Sequence, residues 1–577
     1  MDREPYGYFS ATAPDAAPGD LYRYRLDDGL AFPDPASRFQ PFGPHGPSQV
    51  IDPSLFPWTD DSWTGVSLEG QVIYELHVGT FTPEGTLMSA AQRIPELADV
   101  GITVIELMPL AEFPGNFGWG YDGVALFAPT RLYGQPDDLR RFVDKAHAHG
   151  LGVILDVVYN HLGPDGNYLA QFTPHYFSDR HKTPWGQAIN YDGELSEGVR
   201  EFFACNASYW IDEFHVDGLR LDSTQDIFDD SPEHILSLIS RRTRAAAGDR
   251  SIILVAENDS QDVRLVRPIQ KGGYGLDGVW NDDFHHAAMV AVTGRNRGYY
   301  SDFFGSPQEL VSCVKWGFLY QGQRSKWQKR RRGTPTFGLK PATFIAYIQN
   351  HDQIANSPRG LRVHELTDPG RYRAITALTL LGPGVPLLFQ GQEFAASTPF
   401  LFFADHKREL AGPVFSGRKA FLSQFDELAT AEGQSLIADP SDPETFKKCV
   451  LDFSERTKNE QSYKLHRDLL ALRKKEPVFQ SQRVGGVDGA TLGAEVFVLR
   501  FFGEDGRDLL LIINLGRDLL MDPAPEPLLA PLEGMEWRVL WSSDHPDYGG
   551  AGTAALDTSD IWRIPGHCAV VLCPQSV

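Results

Sequence analysis

The chain has 577 residues, too many for one hydrophobic core, so several domains are expected. Its 53 Lys and Arg against 76 Asp and Glu leave a net charge of −23, which repels phosphates and argues against a nucleic-acid partner. No segment approaches the roughly 20 apolar residues that span a membrane, and MDREPYGYFSATAPD lacks the basic and apolar regions of a signal peptide.

Residues 1–60 are rich in Pro, Gly and Asp, and YRYRLDDGLAFPDP reads as a strand, a turn and an edge. That is too little for an independent β-domain, and a partial N-terminal β-sandwich module is expected there. From Val72 short apolar strands end in polar residues: VIYELHVG (72–79), TVIELMPL (103–110), GVILDVVYN (152–160), VDGLRLDS (216–223), SIILVAEN (251–258), DGVWNDD (277–283), TFIAYIQNHD (343–352) and PLLFQGQE (386–393). Helical patterns such as DLRRFVDKAHAHG, closed by Gly150, lie between them. Eight strand–helix units predict a (β/α)8 TIM barrel over 61–478, with a loop-rich insert at about 162–200 after the third strand. After about 480, EVFVLRFFG, DLLLIINLG, EWRVLWSS and CAVVLCP alternate with turns and predict a C-terminal antiparallel β-sandwich over 479–577.

Active sites of such barrels lie at the C-terminal strand ends. The tails there carry Asp156, Asn160 and His161, then Arg220 and Asp222, Glu257, Asp282 and Asp283, and finally Asn350, His351 and Asp352. One acidic residue at a strand end is usually a helix cap or loop anchor. Carboxylates from three strands (Asp222, Glu257, Asp352) point instead to a shared mouth. Either an oxygen-ligand metal site or a glycosidase pair would use them. His77, His161 and His351 are single and far apart, without the HxH spacing common in metal barrels, so the glycosidase reading explains more.

A retaining glycosidase needs a nucleophile and an acid about 5–5.5 Å apart. Arg220 lies two positions before Asp222, on the same strand face, and its charge favours the Asp222 anion as nucleophile. Glu257 follows the apolar ILVA, a setting that favours a protonated general acid. Asp217 has the opposite parity to Arg220 and is expected to be structural. Aromatic content of 12% suits the apolar faces of sugar rings. The basic run KWQKRRRG (326–333) reads as a solvated loop. Five scattered cysteines without CxxC spacing suit a reduced, cytoplasmic protein.

DVVYNH (156–161), GLRLDS (218–223), AEN (256–258) and NHD (350–352), together with WGYD (119–122) and YGQPDDL (133–139), resemble the ordered signature regions of the α-amylase superfamily. The resemblance implies Asp222 as nucleophile, Glu257 as acid/base and Asp352 as the third carboxylate, which favours the distorted transition state. It implies Arg220, His161 and His351 as sugar ligands and Tyr121 as a ring platform beside Asp122, with Trp119 in the same motif. AENDSQDVRLV, WNDDFHH, NHDQIAN and GQEFAASTPFLFFADH further resemble the branch that frees trehalose from the end of maltooligosyltrehalose. On that branch Asp282, Asp283, Phe284, His285, His286, Gln353 and Glu393 are expected to bind substrate, and Phe400 and Phe403 to stack on the trehalose rings.

The same resemblance implies functional pairing with the enzyme that forms maltooligosyltrehalose. No cofactor is required, and Asp226 in place of a calcium-ligating His argues against a calcium site, so no metal is expected. Members of the superfamily usually start with a β-sandwich of roughly 100 residues, where about 60 precede the barrel here; a truncated module would expose apolar strand edges. The rival readings are a glucan branching enzyme, whose fourth region usually carries Glu where this chain has Gln353, or a debranching enzyme, and a catalytically inactive glucan-binding barrel, which would be expected to lose a carboxylate.

Overall fold

Each of the eight apolar runs forms a short, buried strand: β1 (Ile73–Leu76), β2 (Val104–Leu107), β3 (Gly152–Val157), β4 (Gly218–Leu221), β5 (Ile253–Ala256), β6 (Gly278–Trp280), β7 (Phe344–Ala346) and β8 (Val385–Phe389). In this computed structural model, which describes residues 1–5, 8–27, 29–553, 556 and 561–577, they pair in parallel and close into a barrel as β8 returns to β1. The expected (β/α)8 barrel is therefore the observed one. Parallel pairing needs long crossovers, which is why a helix follows most strands. One crossover helix, α1 (Pro136–Ala148), starts at a capping box between Gln135 and Asp138 and buries Leu139, Phe142 and Val143.

Strand parity sorts the barrel interior by height. Ile73, Val104, Ile154, Ile253 and Leu387 belong to one buried cluster inside the barrel. Two residues further along, on the same face, come Glu75, Glu106 and Asp156, so the layer nearer the mouth is charged. Gly218 lets β4 approach β5 closely: at φ +152° a Cβ there would lie 1.8 Å from the Ile253 carbonyl oxygen. Asp217 lies at the opposite end of the barrel. It accepts from Trp63 Nε1 at 2.7 Å and Val153 N at 2.8 Å, and it contacts His147 Nε2 at 2.8 Å.

The insert after β3 is more ordered than loop-rich implies. It holds a hairpin of Phe177–Thr183 with Gly186–Ile189, whose tight turn carries an exposed Trp185. Among its described residues the N-terminal segment forms three two-stranded ribbons of two residues per strand, and Tyr8, Phe9, Leu21 and Leu30 are exposed. At the C-terminus β9 (Val487–Gly493), β10 (Val496–Phe501), β11 (Leu509–Asn514), β13 (Met535–Ser542) and β15 (Cys568–Ser576) make a five-stranded antiparallel sheet, and β12 (Leu519–Met521) pairs with β14 (Trp562–Ile564). Val498, Ile512 and Val570 of the sheet share a core with Trp562 and Ile564 of the ribbon, giving the two-layer packing that the alternating pattern predicts. No helix among the described residues is long and apolar enough to cross a membrane.

Candidate active site

Asp222 and Glu257 directly follow the ends of adjacent strands β4 and β5 and meet at one guanidinium. Arg220 Nη1 donates to Asp222 Oδ1 at 2.8 Å, and Nη2 donates to Glu257 Oε2 at 2.7 Å. Nη1 also bonds both oxygens of Asp156 on β3, at 2.8 and 2.7 Å. The Arg220 guanidinium carbon stands 4.3 Å from the centroid of the Trp280 ring on β6. A fully buried cation is thus held by three carboxylates and an aromatic face, which offsets the cost of its desolvation.

Each carboxylate has further donors. Asn160 Nδ2 bonds Asp222 Oδ2 at 2.8 Å. Ser223, in the left-handed region at φ +42°, aims its N–H at Glu257 Oε2 at 3.0 Å. A non-glycine residue there costs about 1–3 kcal/mol, and such strain collects where geometry matters. Both donors take Oε2, so a proton on Glu257 belongs on Oε1. Burial raises the Glu257 pKa, Arg220 opposes that, and the Asp222 charge adds to it. Burial likewise lifts Asp156 to about 7 despite Arg220. The Asp222 and Glu257 side chains keep 12% and 23% of their surface accessible, whereas Arg220 keeps none.

A second chain of contacts leads to the third carboxylate. The helix α3 (His351–Ala355) follows β7 and carries His351 and Asp352. The Tyr121 hydroxyl donates to Asp156 Oδ2 at 2.7 Å and stands 2.9 Å from His351 Nε2. His351 Nδ1 bonds Glu75 Oε1. Burial alone would push His351 down, but Glu75 and then Asp352 hold it at about 9, so the imidazolium donates towards both Glu75 and Tyr121. Asp352 Oδ2 lies 3.7 Å from His351 Nε2, with 43% of its side chain accessible. The site is therefore a half-open cup with the Arg220-bound Asp222 and Glu257 on one side and the partly accessible Asp352 on the other.

Residues 51–186 match the family described as the alpha amylase catalytic domain, and residues 484–562 match a domain of unknown function, DUF3459. A malto-oligosyltrehalose trehalohydrolase of Deinococcus radiodurans is 40% identical over 93% of this chain and 87% of its own length. The chain belongs to the malto-oligosyltrehalose trehalohydrolase family. A trehalohydrolase of Saccharolobus solfataricus is 46% identical over 70% of this chain and 71% of its own. The crystal structure of a Salmonella typhimurium protein described as an alpha amylase superposes with a TM-score of 0.85 at 36% identity, covering 97% of this chain and 91% of that one.

For this trehalohydrolase-family chain, several residues expected to touch substrate lie elsewhere. Phe400 and Phe403 are 0% exposed and pack in a cluster with Phe389, Phe117 and Trp119; Phe400 stacks on Trp119 at 5.4 Å. Both also pack on His77 and offer no face to a sugar. Trp119 itself is buried, donating Nε1 to the Leu401 carbonyl at 3.0 Å. Glu393 is buried against the Tyr74 hydroxyl and lifted to about 7 by that burial.

The helix α2 (Asp282–Thr293) directs most of DDFHH inward. Asp283 bonds Arg332 Nε and Tyr320 N, both at 2.8 Å. His286 stacks on Phe303, His285 stacks on Tyr347, and Phe284 joins the main core. Burial drives His285 down to about 3. These four residues pin α2 rather than line the cup. Asp282 keeps partial exposure and accepts from the Tyr347 hydroxyl.

Gln353, Tyr121 and Asp122 also keep partial exposure; Gln353 accepts from the Tyr299 hydroxyl at 2.7 Å, and Asp122 lies 3.5 Å from His406. His161 is buried, with Nδ1 at Asn160 and Nε2 at the Tyr121 carbonyl. The basic run 326–333 is only partly solvated: Arg332 is buried on Asp283, and Gln328 and Arg330 reach Asp259, two residues past Glu257.

Sequence reasoning missed three residues of this region. Glu75 looked like an ordinary interruption of an apolar strand, although its acidic side chain on a buried face was a usable signal. Ser223 left no signal, because its role is a backbone angle. Trp185 is 65% exposed in the insert hairpin, with its ring 6.0 Å from that of His161; its place in a Pro-Trp-Gly turn was visible, but the nearness of that turn to the mouth was not.

Proposed function

We propose that this chain hydrolyses the α-1,4 bond next to the terminal trehalose of maltooligosyltrehalose, with retention of configuration, releasing trehalose. The observation that carries the reading is the Arg220 bridge, which binds Asp222 and Glu257 through its two terminal nitrogens. So short a bridge is compatible with the spacing of a retaining pair, about 5–5.5 Å.

In the first step Asp222 attacks the anomeric carbon. Glu257, kept protonated by burial, gives its Oε1 proton to the glycosidic oxygen as the bond breaks, and trehalose leaves. Loss of the Asp222 charge in the ester favours the Glu257 anion. Glu257 then takes a proton from water as that water attacks the anomeric carbon, which frees Asp222 and the shortened glucan. Asp352 holds ring hydroxyls in the distorted transition state. Trp185, Tyr121, Asp282 and Gln353 supply contacts around the cup.

The same reading places the enzyme in the cytoplasm, in trehalose biosynthesis, acting after the enzyme that forms its substrate. We divide the chain at about residues 60 and 478 into a partial N-terminal module, the barrel and the C-terminal sandwich. Incubation with maltooligosyltrehalose tests the function. Release of trehalose supports it; no trehalose, or new branch points made from amylose, overturns it.

A further inference from the structure

After β8 the chain leaves the barrel in a long excursion that includes the helix α4 (Arg408–Leu422). From α4 Arg418 reaches back to α3. Its Nη1 donates to Asn356 Oδ1 and its Nη2 to the Ala355 carbonyl, both at 2.8 Å. Ala355 is the last residue of α3, and Asn356 caps it. Asn356 Nδ2 stands 3.4 Å from the Tyr299 hydroxyl, which donates to Gln353 Oε1 at 2.7 Å. Arg418 thus ties down the C-terminal end of the short helix that bears His351, Asp352 and Gln353.

The chemistry of that end explains why a cation is there. A helix of five residues leaves its last carbonyls without intrahelical partners, and its C-terminus carries partial negative charge. Asp352 adds a full negative charge to the same helix. Arg418 satisfies one of the free carbonyls and offsets both charges. Its two acceptors are an amide oxygen and a backbone carbonyl rather than a carboxylate, so its charge is not spent on a local ion pair. Phe402 and Phe421 flank the guanidinium at 5.6 and 5.7 Å. Burial lowers its pKa to about 10, and Asp352 pulls the other way, so Arg418 remains a cation at neutral pH.

We propose that Arg418 is a positioning residue for Asp352: it fixes the end of α3 and supplies the counter-charge that holds the third carboxylate in place, which makes the excursion after β8 part of the working site. The inference rests on the role proposed above for Asp352.

The test uses the full chain with R418A, R418K and D352N, each checked by circular dichroism and thermal melting. In R418A kcat on maltooligosyltrehalose is expected to fall on the order of tenfold to a hundredfold, the cost of a slightly misplaced group, with a much smaller change in KM. R418K, which keeps charge but not the two-pronged geometry, falls in between. Millimolar guanidinium restores part of kcat to R418A and none to D352N. Wild-type kcat in R418A, or a loss that guanidinium does not restore, overturns the proposal. If R418A does not fold, R418K decides: reduced kcat at unchanged KM supports the proposal, and wild-type kcat overturns it. An inactive D352N beside a fully active R418A sinks this inference alone, whereas a fully active D352N sinks the role of Asp352 and this inference with it.

Discussion

Arg220 Nη2 stands 2.7 Å from Glu257 Oε2, yet the Glu257 pKa is raised rather than lowered. The reason is the division of one positive charge among Asp156, Asp222 and Glu257 in a buried layer. Burial outweighs the fraction that reaches Glu257. R220K keeps the charge but cannot bridge three carboxylates, so kcat should drop by about 10²–10³, the scale of a lost preorganised donor. Steady-state kinetics on maltooligosyltrehalose check this; a change of less than a few fold would show that the bridge is incidental.

In the proposed reaction Glu257 must hold its proton, so kcat/KM is expected to fall as pH rises through its raised pKa. E257Q should leave only residual turnover, and that residue should lack the alkaline limb. A limb that persists unchanged in E257Q would assign it to another group.

His351 has a folded-state pKa of about 9, above its ordinary value of 6.5. A raised histidine contributes stability that is fully present below 6.5 and lost as pH rises towards 9. E75Q removes the main partner and leaves burial to drive the imidazole neutral. The wild-type melting temperature should therefore fall from pH 6.5 to 9 more steeply than that of E75Q. Parallel curves would contradict the pair.

Glu106 lies beside Glu75 in the charged layer, with neither carboxyl oxygen bonded to a described residue. Burial, then the Glu75 charge, push its pKa well above the ordinary value of 4.5. A carboxyl raised in this way costs the fold stability as pH climbs above 4.5, because the folded state keeps a proton that the unfolded chain releases. E106Q keeps the shape without the titration. Its melting temperature should exceed that of the wild type at pH 7–8, and the difference should vanish near pH 4. Equal melting temperatures throughout would place an ionised, compensated carboxylate there.

Phe403 separates the two views of the segment after β8. Removing a ring packed in the core costs about 3–5 kcal/mol. F403A should melt lower while its KM for maltooligosyltrehalose stays close to wild type. A large rise in KM at unchanged stability would instead make the ring a sugar platform.

Local pattern decided much about this protein. Short apolar runs with polar tails, separated by helical patterns, were enough for the eight barrel strands. They also put Arg220 and Asp222 on one face, because residues two apart on a strand share a side whatever surrounds them. Asp222 and Glu257 needed only the order of the runs, because each is the polar residue at the end of one of two consecutive strands.

Only the tertiary structure decided which loop side chains see the cup. Phe400, Phe403 and His285 look identical, as residues near a mouth, to residues that bind sugar, but the loop after β8 folds beneath Trp119 and α2 turns its histidines into the core. Burial outside regular elements depends on distant partners, and no local periodicity encodes it. Arg418 makes the same point from the other side: it lies 66 residues beyond Asp352 in the chain, and only packing brings it to α3.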